Sequence, residues 1–219
     1  NGLKNVNQAL ITIDCTQEVV DEAINRQCDL IIAHHPIVFT GIKSFDRSNY
    51  IHETIIKAIK NNISIFAIHT NLDNVSNGVN GAIASKLGLE RTKVLRYKKG
   101  QMKKINVYVP IEFEQSVKES MWEAGGGNIG NYSKCGFNTI GVGTFCGNDD
   151  SQPSYGQKNK LHHEKESKIE MVFPAYLERN ITAKMLETHP YEEVSYDIIT
   201  LENHHIGIGS GMIGYLPNP

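Results

Sequence analysis

The sequence has few cysteines, little net charge and no long apolar run, and each of these absences argues against a class of protein. Its four cysteines lie at distant positions and lack the C-x-x-C spacing of zinc ribbons and thiol oxidoreductases. Lysine and arginine total 22 against 24 acidic residues, a balance that gives no support for a nucleic-acid or anionic membrane partner. No apolar stretch approaches the roughly 18 to 20 residues that span a bilayer. These features favour a cytoplasmic protein with free thiols.

What the sequence does contain is the composition of a packed globular chain. Hydrophobic residues make up 40% and charged residues 21%, close to the averages for folded domains. A chain of 219 residues can form one large domain or two compact ones.

The first hundred residues alternate short β-branched runs with amphipathic helical patterns, which predicts βαβ units and a parallel sheet. The predicted strands are 9–13, 29–33 and 64–68, and the predicted helices are 17–25, 50–60 and 79–87. Thr16 is the expected N-cap of the first helix. Because the strands are continuously apolar, we expect them to be buried on both faces.

Near Lys98 the pattern changes to strand, helix, strand, strand, helix, strand, the order of ferredoxin-like α+β domains. The predicted elements are 104–109, 112–124, 136–145, 166–173, 175–188 and 194–201. We therefore predict an α/β domain over 1–100, a ferredoxin-like (βαββαβ) domain over 101–203, and a segment 204–219 that returns toward the first domain.

Polar residues follow two of the predicted parallel strands. His34 and His35 come directly after the second strand, and His69 and Asp73 follow the third. Ligands of open α/β sheets collect at the carboxyl ends of the strands, so neighbouring strands would bring these side chains into one crevice. Imidazole and carboxylate groups bind Zn, Fe, Mn or Ni, and two such ions together can activate water for hydrolysis. The pattern predicts a dinuclear metal site.

Structural roles remain open for each of these residues. The vicinal histidines could instead be loop residues that bind backbone carbonyl groups. Asp14, after the first strand, could be a ligand, or it could be a turn or cap residue. His69 could bind a metal directly or orient another ligand, whereas Asp73 is the better candidate for direct binding.

Two other motifs have both a structural and a functional interpretation. The glycine-rich stretch 125–130 could cradle a phosphate, but it follows a helix and lacks the Lys-Ser/Thr of a P-loop, which favours a helix cap and tight turn. The stretch 189–193, His-Pro-Tyr-Glu-Glu, could bind a small molecule or could pack Tyr191 against the sheet, and we favour packing.

Several motifs together resemble one family. Residues 31–39 (IIAHHPIVF), 68–73 (IHTNLD) and 78–80 (GVN) are similar to the Nif-three-like family, also labelled GTP cyclohydrolase 1 type 2 homologs. Residues 125–132 (GGGNIGNY) and 189–194 (HPYEEV) resemble an insert, related to PII and CutA proteins, that some bacterial members carry. The resemblance covers the first half of the family's α/β domain, over 9–95, and the insert, over 103–203.

The resemblance implies two divalent metal ions in a toroidal homohexamer, with His34, His35 and Asp73 at metal-ligand positions. The metals would be Zn, Fe, Mn or Ni. Two further family ligands, a His and a Glu, have no counterpart in this sequence and lie beyond Pro219 in family members.

Two functions follow as hypotheses. The first is a metal-dependent hydrolase of a small phosphorylated or nucleotide-like substrate. The alternative is a non-catalytic regulatory or scaffold protein in which the PII-like insert senses a small-molecule effector. The second is favoured by the absence of an obvious general base or nucleophile beyond the metal ligands.

Overall fold

A computed structural model describes residues 5–46 and 49–217, and the chain divides into two compact units. The first unit comprises the chain up to Lys93 together with the segment from Gly209, and the second comprises Val94–Ile208. The predicted boundaries after residues 100 and 203 stay a prediction of domain organisation. The outer ends of the predicted segments 1–100 and 204–219 lie outside the described residues.

The first unit contains the three predicted strands and three predicted helices in the predicted order, together with a short helix and a fourth strand that were not predicted. Its elements are β1 (Ala9–Thr12), α1 (Gln17–Asn25), β2 (Leu30–Ala33), α2 (Tyr50–Lys60), β3 (Ser64–Ala67), α3 (Thr70–Asp73), α4 (Val79–Lys86) and β4 (Glu90–Tyr97), which crosses the unit boundary. The short helix α3 was not predicted, because four residues carry no helical periodicity.

Three strands form a parallel sheet in the order β1-β2-β3. In each of the two helices between these strands, a side chain accepts a hydrogen bond from a first-turn N–H group that has no backbone acceptor within the helix. The Thr16 hydroxyl accepts a hydrogen bond from the Val19 N–H, and the Asn49 side chain accepts one from the His52 N–H. The prediction that Thr16 caps α1 is confirmed.

The core of the first unit lies on one face of this sheet. It is formed by residues of α1, α2 and β2, among them Val20, Ala23, Ala58, Ile31 and Ala33. On the other face, Ile11 is 79% exposed and Phe66 is 53% exposed. The prediction that these strands are buried on both faces is therefore wrong for the described residues, because α1 and α2 pack on the same side.

The second unit has the order strand, helix, strand, strand, helix, strand. Its elements are β5 (Met102–Pro110), α5 (Glu114–Glu123), β6 (Phe137–Phe145), β7 (His162–Pro174), α6 (Glu178–Thr188) and β8 (Tyr196–Leu201), and the chain returns to the first unit through β9 (Gly209–Tyr215). The strands form an antiparallel sheet in the order β6-β7-β5-β8. Thus the chain has a mixed α/β fold with parallel and antiparallel sheets.

Alternation along the strands of the second unit separates a core face from a polar face. Ile105, Val107 and Val109 are fully buried in the core with Met121 of α5 and Ile181 of α6. Both helices therefore pack on the same face of the antiparallel sheet. No helix among the described residues is long and apolar enough to cross a membrane.

The glycine-rich stretch between α5 and β6 forms a turn and offers little to an anion. Gly125 and Gly127 have positive φ, of 100° and 69°. The N–H groups of Gly125, Gly126 and Gly127 donate to the carbonyl groups of Trp122, Met121 and Val172. Because these donors are already satisfied, the structure supports the turn and not the phosphate cradle.

Candidate metal centre

The carboxyl ends of the three parallel strands converge because their hydrogen-bond ladder continues beyond the strands. The N–H groups of His34 and His35 donate to the carbonyls of Thr12 and Ile13, at 3.0 and 2.9 Å. The N–H of His69 then donates to the His34 carbonyl at 2.9 Å. The backbone itself therefore holds these three histidines at one edge of the sheet.

The imidazole rings of these histidines form a compact group, which we call the histidine cluster (His34, His35 and His69). Ring centroids are 4.9 Å apart for His34 and His35, 5.7 Å for His34 and His69, and 6.1 Å for His35 and His69. Each pair meets edge to face, so the rings point in different directions. The prediction that these three histidines converge is confirmed.

Asp14 orients one ring of the cluster. Its Oδ1 lies 2.8 Å from Nδ1 of His35, and both side chains are more than half exposed. A proton on Nδ1 would donate to this carboxylate and leave Nε2 as a free lone pair. Carboxylate–histidine pairs of this kind commonly orient metal-binding imidazoles. The structure thus places Asp14 beside His35 and not at a helix cap.

The backbone at His69 adopts a conformation that non-glycine residues rarely take. Its φ of 39° and ψ of −133° lie outside the ordinary regions for an L-residue. Strained backbone of this kind concentrates at functional sites, where surrounding structure enforces it. This backbone conformation at His69 connects β3 to α3, and the ring centroid of His69 lies 5.7 Å from that of His34.

Asp73 lies at the end of α3, one helical turn beyond His69. Its carbonyl accepts a hydrogen bond from Nδ2 of Asn80 at 2.7 Å. A Cβ at Gly78 would overlap the carbonyl oxygen of Leu72, so glycine lets the chain pass close to α3. Gly78 and Asn80 belong to the Gly-Val-Asn motif, and these two contacts give that motif a role in positioning Asp73.

The Asp73 segment is also fastened to β9 within the same unit. The carbonyl of Asn74 accepts a hydrogen bond from the N–H of Gly209 at 2.8 Å, and Oδ1 of Asn74 accepts one from the Ser210 hydroxyl at 3.0 Å. Partners so far away in sequence carry no local signal, and sequence reasoning missed them.

The described residues do not assemble a finished ligand set. Across 5–46 and 49–217, no group of three or more His, Cys, Asp or Glu side chains is placed to hold one ion. Among the described residues, no hydrogen bond or ion pair joins the Asp73 carboxylate to the histidine cluster. The donor chemistry fits a transition-metal ion, because three imidazoles and an orienting carboxylate lie together. The assignment of His34, His35 and Asp73 as ligands stays a prediction.

Comparison with known proteins identifies a family. The Duf34/NIF3 (NGG1p interacting factor 3) family model matches residues 1–219. A Bacillus subtilis protein named GTP cyclohydrolase 1 type 2 homolog is 39% identical over 216 residues, which are 98% of this chain and 58% of that protein. A Listeria innocua protein of the same name is 41% identical over 217 residues, with 98% and 58% covered.

A solved structure agrees with these sequence matches. A Bacillus cereus protein related to NIF3 is 41% identical and superposes with a TM-score of 0.78, covering 98% of this chain and 57% of its own. The chain spans about 58% of the length of the curated relatives that it matches. With a family model that matches its whole length, this chain belongs to the Duf34/NIF3 family.

Proposed function

We propose that the histidine cluster is part of a dinuclear metal centre that serves a hydrolase acting on a small phosphorylated or nucleotide-like substrate. One observation carries the proposal: three imidazoles meet at adjoining strand ends, and Asp14 orients one of them at 2.8 Å. His34, His35 and Asp73 are the proposed ligands, and the ions are divalent Zn, Fe, Mn or Ni.

Each residue has a distinct role in this proposal. His34 and His35 project in different directions from adjacent positions, so each can serve a different ion. Asp14 fixes the ring of His35, so that its Nε2 is free to bind an ion. When bound, divalent ions would lower the pKa of a water molecule and polarise a substrate oxygen. In this proposal His69, whose ring neighbours those of both vicinal histidines, accepts and returns a proton.

Nucleotide-like substrates are favoured by the names of the relatives. The Bacillus subtilis and Listeria innocua proteins are each named GTP cyclohydrolase 1 type 2 homolog. Because this chain spans 58% of their length, the activity of the whole protein is part of the proposal.

The finer architecture belongs to the proposal too. We propose that residues 1–100 are the first half of a Nif-three-like α/β domain and that 101–203 are a PII/CutA-like insert with the ferredoxin-like order. We also propose a toroidal homohexamer. Size-exclusion chromatography with light scattering would give about six times the chain mass of 24.4 kDa, and a monomer would contradict the assembly.

Metal content tests the centre directly. The chain is purified without chelators, loaded with Zn²⁺, desalted and measured by elemental analysis, alongside the variant His34→Ala. The matched control is His163→Ala, because His163 is exposed and lies in β7 of the second unit. We expect His34→Ala to lose most of the bound metal and His163→Ala to keep it.

Metal loss that is equal in the two variants, or retention in both, contradicts the site. Turnover is measured separately on nucleoside triphosphates and phosphate monoesters with metal-loaded protein. A metal-loaded protein that is inert toward both would support the regulatory or scaffold alternative over the hydrolase.

A further inference from the structure

A second candidate site lies entirely within the second unit. A cavity of about 540 Å³ opens where the end of β6 and the loop after it face residues 191–195. This volume lies within the roughly 300 to 1,000 Å³ of small-molecule sites. Phe145 and Tyr191 are among its walls, with ring centroids 5.9 Å apart. An apolar, aromatic-walled cavity of this size has the shape of a ligand site.

A buried carboxylate lies in the wall of this cavity. Glu166 of β7 is only 7% exposed, and its Oε1 accepts a hydrogen bond from the Tyr191 hydroxyl at 2.9 Å. Its Oε2 has no hydrogen-bond partner among the described residues, and no cationic side chain lies within ion-pair distance there. A buried carboxylate without a cation is costly, and natural proteins almost always pair such groups.

The Glu166 carboxylate occupies space that a side chain at position 143 would otherwise fill. A Cβ at Gly143 of β6 would overlap Oε2 of Glu166, whereas a Cβ at Gly141 would meet nothing within 4 Å. Glycine at position 143 therefore allows the carboxylate to lie over the strand. The Tyr191 pKa is raised by burial and by the adjacent Glu166 carboxylate, so this hydroxyl keeps its proton and donates it.

The walls of the cavity are fastened in place. The Gln152 N–H donates to the Glu192 carboxylate at 2.6 Å, and the Ser154 hydroxyl donates to the Pro190 carbonyl at 2.7 Å. Both nitrogens of the His189 ring have partners. Nε2 lies 2.9 Å from the Tyr108 carbonyl oxygen, and Nδ1 accepts a hydrogen bond from the Tyr191 N–H at 3.1 Å. The loop and the 189–193 motif are thus pre-organised around the open space, which lowers the cost of binding.

The charge of the cavity has one sign. Its lining includes the carboxylates of Glu166, Glu192 and Glu193, and none of its lining residues is Lys, Arg or His. Inorganic Ca²⁺ and Mg²⁺ favour six or more oxygen ligands, but the Glu192 carboxylate already accepts the Gln152 N–H, and the rings of Phe145 and Tyr191 line the cavity together with Glu166. An ammonium or guanidinium group can pair with one buried carboxylate and rest on aromatic faces.

We propose that this cavity binds a small organic cation, an ammonium or guanidinium group carried on an apolar body, with Oε2 of Glu166 as its ionic partner. The cation supplies the charge that the buried carboxylate lacks, and the body fills the space beside Phe145 and Tyr191. The site is independent of the metal centre, which lies in the other unit.

Calorimetric titration tests the charge requirement. The full chain in EDTA is titrated with 2-phenylethylammonium chloride and with 2-phenylethanol, an uncharged analogue of the same heavy-atom skeleton. We expect the ammonium to bind at least about tenfold more tightly, the effect of about 1.5 kcal/mol for a hydrogen bond to a charged group. Equal binding of the two, or no binding of either, overturns the proposal.

Three variants locate the partner. Glu166→Gln keeps an acceptor for Tyr191 and should abolish the preference for the ammonium. Gly143→Ala displaces the Glu166 carboxylate and should weaken ammonium binding, whereas the matched control Gly141→Ala should leave it unchanged. If Glu166→Gln retains the preference, or the two alanine variants behave alike, the assignment to Oε2 fails.

A paramagnetic titration distinguishes an inorganic ion. With EDTA omitted, Mn²⁺ is added to ¹⁵N-labelled protein, and amide broadening is followed at Gly143 and Tyr191. We expect no site-specific broadening there, and amide shifts at these residues on addition of 2-phenylethylammonium. Broadening that the ammonium reverses would assign the cavity to a metal cation and overturn the proposal.

Discussion

The two candidate sites differ in how much of each one this chain supplies. The histidine cluster lies at a sheet edge whose polar groups are largely open, and His35 and Asp14 have side-chain exposures of 51% and 64%. The cavity in the second unit has walls from several segments and a carboxylate that is 7% exposed. The first site has metal-binding side chains that, among the residues described, are not arranged around one ion. The second has a formed cavity whose buried carboxylate has no cationic partner in the described part of the chain.

The same contrast runs through the packing of the two units. In the first, both long helices cover one face of the parallel sheet, and Phe66 on the other face is 53% exposed. In the second, Phe173 is fully buried between the antiparallel sheet and two helices. The comparison teaches that side-chain chemistry alone can indicate a site, as it does for the histidine cluster, even where the packing around the sheet is open.

The largest expected effect tests the packing contrast. Phe173→Ala empties a closed core and should lower the free energy of unfolding by about 3 to 5 kcal/mol. Phe66→Ala removes the same side chain from a strand of the open face and should cost less than about 1 kcal/mol. Chemical denaturation followed by circular dichroism measures both, and similar losses would contradict the contrast.

The next effect concerns the orientation of His35. Asp14→Ala removes the carboxylate beside Nδ1 and should weaken Zn²⁺ binding roughly 10- to 100-fold, as loss of such partners typically does. The control is Asp46→Ala, which removes the carboxylate 3.0 Å from Nδ1 of His52, outside the cluster. Competition with a chromogenic chelator measures the affinities, and equal weakening in the two variants would contradict the orienting role of Asp14.

The smallest effect is a pH dependence in the second unit. Burial lowers the pKa of His189 below its usual value near 6.5, although the Tyr108 carbonyl opposes this shift. The unfolded state therefore binds more protons than the folded state just below pH 6.5, so stability falls as the pH falls through that value and levels off below the lowered pKa. Protonation of Nδ1 would also remove the acceptor of the Tyr191 N–H.

Unfolding free energies measured between pH 7.5 and 5 test this. His189→Gln should have a shallower pH dependence than the unchanged protein, whereas the exposed-site control His163→Gln should keep the original slope. Burial lowers the pKa of His205 as well, so part of the slope should remain in His189→Gln. An unchanged slope in His189→Gln would contradict the neutral, buried state of this ring.

Sequence patterns predicted what depends on local chemistry and periodicity. The helices Gln17–Asn25 and Tyr50–Lys60 were expected over those residues, because each carries an apolar stripe. The Thr16 cap of the first helix was also expected, whereas the Asn49 cap of the second was not. The convergence of His34 with His69 followed from their positions after successive parallel strands. Both inferences need only a few neighbouring residues and one rule about strand ends.

What sequence reasoning missed depends on contacts between distant residues. The pairing of Glu166 with Tyr191 and its clearance over Gly143 join three segments, and no local pattern marks them. Tyr191 was expected to pack against the sheet, and it does contact Phe145 of β6 and Glu166 of β7, but its place in the cavity wall was not predicted. The helical turn Thr70–Asp73 is too short to predict, and it determines where the proposed ligand Asp73 lies.

The central claim is that the ends of β2 and β3 bring the imidazoles of the histidine cluster together at the proposed dinuclear metal centre. Nuclear magnetic resonance of the histidine side-chain nitrogens during a Zn²⁺ titration tests it most directly. We expect the ring signals of His34, His35 and His69 to change together and saturate, while those of His52 and His163 stay in place. Signals of the cluster that stay unchanged while zinc binds elsewhere would contradict the claim.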